Sequence, residues 1–202
     1  MAILTFPTLA SGTPAQFSFS LVPNTQIFTS PLNRTTQTAE LPGARWQAEA
    51  SWQNLPHSDA RLLKAFLARL RGAAGRFYFW DMSHPAPSGT ALGAGVVNGA
   101  SQAGASIITN GWTINQANLF AVGDYIGIGG ELKVVTVQAA SDAAGASTIT
   151  FEPPLRSAPA NGSPIVIAAP TCVMRLADDK QDGFVFSGPL SASPKIACVE
   201  VF

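Results

Sequence analysis

Along most of the chain, apolar and polar positions alternate with a period of two, which predicts strands. "QFSFSL" at 16–21 alternates, "NTQIFTSP" follows a turn expected at Pro23–Asn24, and the Thr-rich "NRTTQTAELPG" closes at Pro42–Gly43. In the next strand Trp46, Ala48, Ala50 and Trp52 share one face, while Arg45, Gln47, Glu49, Ser51 and Gln53 share the other. That is a half-buried antiparallel strand with one wet or partner-facing side. The rhythm then becomes helical in "LPHSDARLLKAFLARLRG", where Leu62, Leu63, Phe66, Leu67 and Leu70 form one apolar stripe. Pro56 lies just upstream, Ser58 is the expected N-cap, and Asp59 suits the positive end of the helix dipole. Arg69 and Arg71 suit the negative end and Gly72 stops the helix, so it is expected over 58–71. A helix that follows so closely can fold back, its leucines seated in the two-alanine notch between the tryptophans.

"RFYFWDMSHP" is a short aromatic strand with Phe77 and Phe79 on one side and Tyr78 and Trp80 on the other. Aromatics on both faces fit either a central strand buried within the monomer or one face set against another subunit. Residues 84–106 turn to Ala, Gly, Ser and Pro, which reads as a boundary or a long flexible loop. A compact β text follows. "SIITNGW" is one strand, Gly129–Gly130 makes the turn of a hairpin, a strand over 148–151 ends at Pro153–Pro154, and "PIVIAA" is the next. Five or so short strands over that stretch suit a small barrel. The end of the chain returns to mixed strand text that completes a sheet begun near the N-terminus.

Charge changes this picture. Only 12% of the 202 residues are Asp, Glu, Lys or Arg, with 12 of each sign, about half the usual share. None occurs in 1–33 or in 82–123, although both stretches are rich in polar uncharged residues. A free domain keeps more charge to stay soluble, whereas one covered by neighbours does not need it. Uncharged strands also associate at low desolvation cost. No basic cluster points to nucleic acid, because the densest group, over 61–76, is largely accounted for by the helix. No apolar run reaches membrane-spanning length. The opening "MAILTFPTLASG" has no basic lead and is interrupted by Pro7, a poor match to a signal peptide. Cys172 and Cys198 are expected as reduced core residues of a chain folded in a reducing cytoplasm.

Candidate chemistry is sparse. Asp81, Ser83 and His84 are the residue types of a hydrolytic triad, but triad members converge from separate elements, and a strand-end turn before Pro85 is the better reading. His57 and Asp59 belong to the helix start. "GIGG" at 127–130 lacks the Lys-Ser/Thr of a phosphate loop and opens no helix. Asp178, Asp179 and Asp182, with Glu200 beyond, lack the glycine and terminal glutamate of a calcium loop. No catalytic, cofactor-binding or metal site is expected.

Over residues 30–84 the chain resembles the N-terminal part of the distal tail proteins of long-tailed bacteriophages and gene transfer agents. The resemblance rests on "SP" at 30–31, "LPGARW" at 41–46, the helix "DARLLKAFLARLRG" and the following "GRFYFWD". The region "GDYIGIGGELKVVTV" with "TITFEPPLRSAP" also looks like small β-domains of phage tails and baseplates. The resemblance implies a mainly β fold: a β-sandwich with one packed α-helix over 1–88 and 173–202, and an inserted small β-barrel-like domain over 89–172. It implies a virion protein of the tail tip, a homo-oligomeric ring, usually a hexamer, that joins the tail tube protein to the hub and fibre proteins. Phe17, Phe19, Tyr78 and Trp80 are the candidate subunit-interface residues. Trp112 is the one tryptophan of the insert, which argues against direct receptor recognition. Three competing readings stay open: another tube, terminator or minor tail-tip component, a receptor- or glycan-binding module, and a wall hydrolase using Asp81 and His84.

Overall fold

A computed structural model of the chain describes residues 2–179, 184 and 191–202. The protein is mainly β with one α-helix. It forms two compact units, Met1–Phe77 with Val173–Phe202, and Tyr78–Cys172. The first boundary falls at 77/78 rather than 88/89, and local bonds explain why. The Tyr125 hydroxyl bonds Asp81, and the Ala169 N–H donates to the Pro85 carbonyl at 2.8 Å, so residues 78–88 are tied into the inserted unit.

The first unit carries a six-stranded sheet. Its strands are β1 (Leu4–Thr5), β2 (Gln16–Thr29), β3 (Thr36–Ser51), β5 (Phe77–Phe79), β12 (Cys172–Leu176) and β14 (Lys195–Glu200), in the order β1-β5-β12-β14-β3-β2. The other layer is α1 (His57–Leu70) with a short ladder of β4 (Leu55–Pro56) and β13 (Ser191–Ala192). The sandwich is therefore uneven, one broad sheet against a helix and a two-stranded strip.

Trp46, Ala48, Ala50 and Trp52 are all buried. Their large-small-small-large spacing is matched sideways. Phe17 lies opposite Ala50 and Phe19 opposite Ala48 on β2, while Ile196 and Cys198 lie opposite the same alanines on β14. Cross-strand partners share a face, so small residues on the central strand admit bulky ones on both sides. The Phe19 ring stacks on Trp46 at 5.0 Å. The helix reaches Trp52 by way of Phe6, which stacks on Trp52 and meets Phe66 of α1 edge-on at 5.3 Å. The notch thus admits bulky cross-strand neighbours, and Phe6 links Trp52 to the helix, whose Leu63 and Leu70 are also buried.

The helix begins one residue earlier than expected, with Pro56 at the N-cap position and no side-chain cap. Ser58 caps nothing there. Asp59 is buried instead, its Oδ2 accepting the Ser11 N–H at 2.8 Å, so it pins the N-terminal segment. The buried stripe is Ala60, Leu63, Phe66 and Leu70. Leu62 is 52% exposed, since one residue step turns a helix by about 100° away from Leu63. Arg71 ends the helix in the left-handed conformation and Gly72 continues the turn.

Two expected turns are absent. β2 and β3 run as one long hairpin, paired from Gln16–Ser51 to Thr29–Thr36, with a register shift between Val22 and Asn24. Pro23 sits in that bulge, where a missing N–H costs no ladder bond. Across from it Gly43 takes φ +112°, and the Asn24 side-chain amide donates to the Pro42 carbonyl at 2.8 Å, so both strands kink together and continue.

The second unit is a nearly closed six-stranded barrel. Its strands are β6 (Gly93–Val97), β7 (Gly104–Trp112), β8 (Tyr125–Ile128), β9 (Glu131–Val137), β10 (Ser147–Leu155) and β11 (Ile165–Val166), in the order β11-β8-β9-β10-β7-β6. The ends meet where Val96 bridges Pro164 and Val97 bonds Ser163 and Gly162 through the backbone. Ile107, Trp112, Leu119, Phe120, Ile126, Val135, Ile149 and Phe151 fill the interior. β6 lies inside the stretch expected to be a loop. Its composition misleads because Gly95 faces the Trp112 ring so closely that a Cβ would overlap it.

Candidate assembly surface

β2 is the last strand of its sheet, and its outer edge pairs with no strand among the described residues. Alternate residues of such a strand turn N–H and C=O outward, a ready template for a further strand. Edges of this kind are normally blunted by Lys, inward charges or shortness. β2 has Pro23 and a bulge at that one point, but it is 14 residues long and contains no charged residue. The opposite edge of the sheet, β1, is two residues long.

Beyond Val22 and Ala44 the hairpin leaves the body of the sheet, and both strands are exposed on both faces. This ribbon bears Ile27 at 66%, Phe28 at 58% and Leu32, in its tip, at 95% exposure. Arg34 and Glu40 are its charges. Its tip is closed locally: the Ser30 N–H donates to the Thr35 carbonyl, and Asn33 Oδ1 accepts from the Thr35 N–H and hydroxyl. An isolated two-stranded hairpin is marginal in water, so a bare ribbon with apolar side chains gains by being covered.

Of the four candidate interface residues, the structure brings Phe17 and Phe19 together, stacked at 6.2 Å and half-buried on the face shared with Trp46. Tyr78 lies on β5 of the same sheet, where the division between the units runs, and is 39% exposed; Trp80, just beyond that strand, is half-buried with its ring 6.1 Å from Phe79. Phe77 and Phe79 on the opposite side of that strand are buried. The exposed apolar residues of the ribbon were missed because strict alternation marks one strand face as core, and here neither face is.

The groups considered for chemistry have structural duties. Asp81 accepts from the Ser83 N–H at 2.8 Å, the Ser83 hydroxyl at 2.5 Å and the Tyr125 hydroxyl. Burial, and then the Asp81 charge, raise the Tyr125 pKa. The Ser83 hydroxyl points its proton at Asp81, and His84 Nδ1 lies 3.1 Å from the same Oγ. The order is carboxylate, hydroxyl, imidazole, whereas a hydrolytic triad sets the imidazole between carboxylate and hydroxyl. His57 is the exposed first residue of α1. Gly129 and Gly130, both with positive φ, form the two-residue turn between β8 and β9. Glu200 is buried and accepts the Trp46 N–H at 3.0 Å, and Asp179 accepts the Ala73 N–H; Asp182 lies outside the described residues. No group of three possible metal ligands occurs among the described residues. Cys172 and Cys198 are buried thiols rather than halves of a disulfide, and burial pushes the Cys198 thiol up to about 12. No described helix is long and apolar enough to cross a membrane.

Two polar clusters of the barrel gave no sequence signal, because each joins residues far apart in the chain. Asp124, buried, accepts the N–H groups of Ser88, Gly89 and Ala121, fixing the entry segment. Lys133, with no exposure, bonds Glu131 at 2.7 Å and the Pro154 carbonyl at 2.9 Å. Glu131 in turn accepts from the N–H groups of Arg156 and Ser157. No family model matches the sequence, and no curated protein matches it.

Proposed function

We propose that this protein is a structural subunit of a long-tailed bacteriophage tail or a related gene transfer agent. In this reading it forms a homo-oligomeric ring, six copies, at the distal end of the tail, joining the tail tube to the hub and fibre proteins. One observation carries the reading: a long uncharged edge strand continues into a ribbon exposed on both faces. Such a surface is unfavourable on an isolated molecule and suits one whose neighbours supply the missing strand and cover. The resemblance of residues 30–84 to distal tail proteins supplies the setting. The low charge of the chain adds support, since identical copies crowded in a ring repel less when each is nearly neutral.

Ser18 and Ser20 are exposed on β2, and lysine at both positions restores the guard that edge strands normally carry. Native mass spectrometry and cryo-electron microscopy of particles carrying the wild-type chain are expected to show a ring at the tail tip. S18K/S20K is expected to fold with an unchanged melting temperature and to remain monomeric. A particle reconstruction in which the β2 edge and the ribbon face only solvent would sink the proposal.

A further inference from the structure

The turn after α1 gathers a basic notch that helix capping does not exhaust. Arg69, Arg71 and Arg76, together with Ala2, Leu4 and Gly75, line a concavity of about 280 Å³. All three guanidinium-bearing residues are exposed, and none makes an ion pair with a carboxylate among the described residues. Arg69 in the last turn and Arg71 at the C-cap answer the negative helix end, an effect of about 0.3–1 kcal/mol each. Arg76 lies beyond the helix, and the dipole gives no reason for it.

The backbone from which these side chains spring is fixed. The Leu4 N–H donates to the Arg76 carbonyl at 2.9 Å, which holds the N-terminal segment against the turn. Gly75 is buried, and a Cβ there would lie 2.3 Å from the Leu70 carbonyl oxygen, so the chain packs directly on the helix end. The Ala73 N–H donates to Asp179 at 2.8 Å, and Asp179 is not among the residues that line the notch. Arg71 sits at φ 56° and ψ 48°, a conformation in which glycine costs less than any residue with a side chain. A residue with a strong functional group is thus held in a strained position, beside two of its own kind, in a chain with few charges.

We propose that this notch is a binding site for an acidic segment of a partner protein, which places a side-chain carboxylate among Arg69, Arg71 and Arg76. Guanidinium groups offer paired N–H donors that match the two oxygens of a carboxylate, and all three cations here are arginine rather than lysine. The Ala2 and Leu4 side chains add apolar surface beside the arginines, which suits the methylene stem of a glutamate better than a free inorganic oxyanion. The inference is independent of the tail reading, since it rests on the notch alone.

The test is isothermal titration of the full-length protein with a hexaglutamate peptide at low ionic strength, and separately with inorganic phosphate. Wild type is expected to bind the peptide, and R71G/R76A to bind it at least about tenfold more weakly. R71G relieves the left-handed strain, so the double variant is expected to keep its fold, checked by its melting temperature. Arg61 is exposed near the helix start, outside the notch, and R61A is expected to bind as wild type does. Absence of peptide binding, binding of phosphate in its place, equal binding by R71G/R76A, or an equal loss in R61A would each overturn the proposal.

Discussion

Lys133 carries an ammonium group into the barrel wall with no solvent exposure, so the carboxylate beside it governs the stability of that unit. Burial alone would raise the Glu131 pKa, but the Lys133 bond and the Arg156 N–H outweigh it and hold the carboxyl below its ordinary 4.5. A folded-state pKa lowered in this way adds stability that is fully present above the unfolded value and is lost as pH falls through the folded one. The barrel is therefore expected to lose stability in acid, below about pH 4.5, as followed by urea midpoints across that range. Glu131→Gln leaves the ammonium buried without its counter-charge; a loss of about 3–5 kcal/mol at neutral pH is expected, with a flatter dependence in acid. A second residue is governed by shape alone. A Cβ on Gly95 would lie 1.9 Å from the Trp112 ring, so Gly95→Val must displace the indole or the strand. The expected cost is about 1–3 kcal/mol, read from the melting temperature, with Gly93→Val no guide because Gly93 has a positive φ of its own.

At the scale of elements, period and pairing were legible where one face is core and the other solvent. The helix, the strand with alternating tryptophans and alanines, and the Gly129–Gly130 hairpin all follow from local pattern. Reading failed where a residue type served a different geometry. Pro23 and Gly43 look like chain reversals, yet they form a kink shared by two continuing strands. Gly93, Ala94 and Gly95 look like loop, yet Gly93 packs against the backbone of the next strand and Gly95 admits the Trp112 ring. Ser58 has the chemistry of a cap, but helix α1 starts before it and Asp59 turns to Ser11. The exposed ribbon makes a further expectation at this scale. It buries little of its own surface, so excising 23–44 and closing Val22 to Arg45 with Asn-Gly should leave the melting temperature nearly unchanged. The same variant should fail to assemble in native mass spectrometry; an intact oligomer would mean that the body of the sheet suffices.

For the whole molecule, the two-part organisation was legible from the collapse in composition after residue 84, and the second junction coincides with the return of charged strand text. The first junction was displaced because Asp81 and Pro85 make their bonds with the barrel, and long-range hydrogen bonds leave no trace in composition. The barrel closes through Val96 and Val97 on residues 162–164 and has its own filled interior, so residues 78–172 are expected to fold alone. A single cooperative urea transition of that fragment, with dispersed amide resonances, would verify it; a molten fragment would refute it.

The path into and out of the insert has its own outcome. The chain leaves through β5 and comes back through β12, which are adjacent in the sheet. Neighbouring strands are spaced by about 4.8 Å, so the host fold presents a socket with two nearby ends. Any module whose termini emerge side by side can be plugged in without stretching the host. One scaffold can then carry inserts of very different kinds, provided each returns its chain beside the point where it entered.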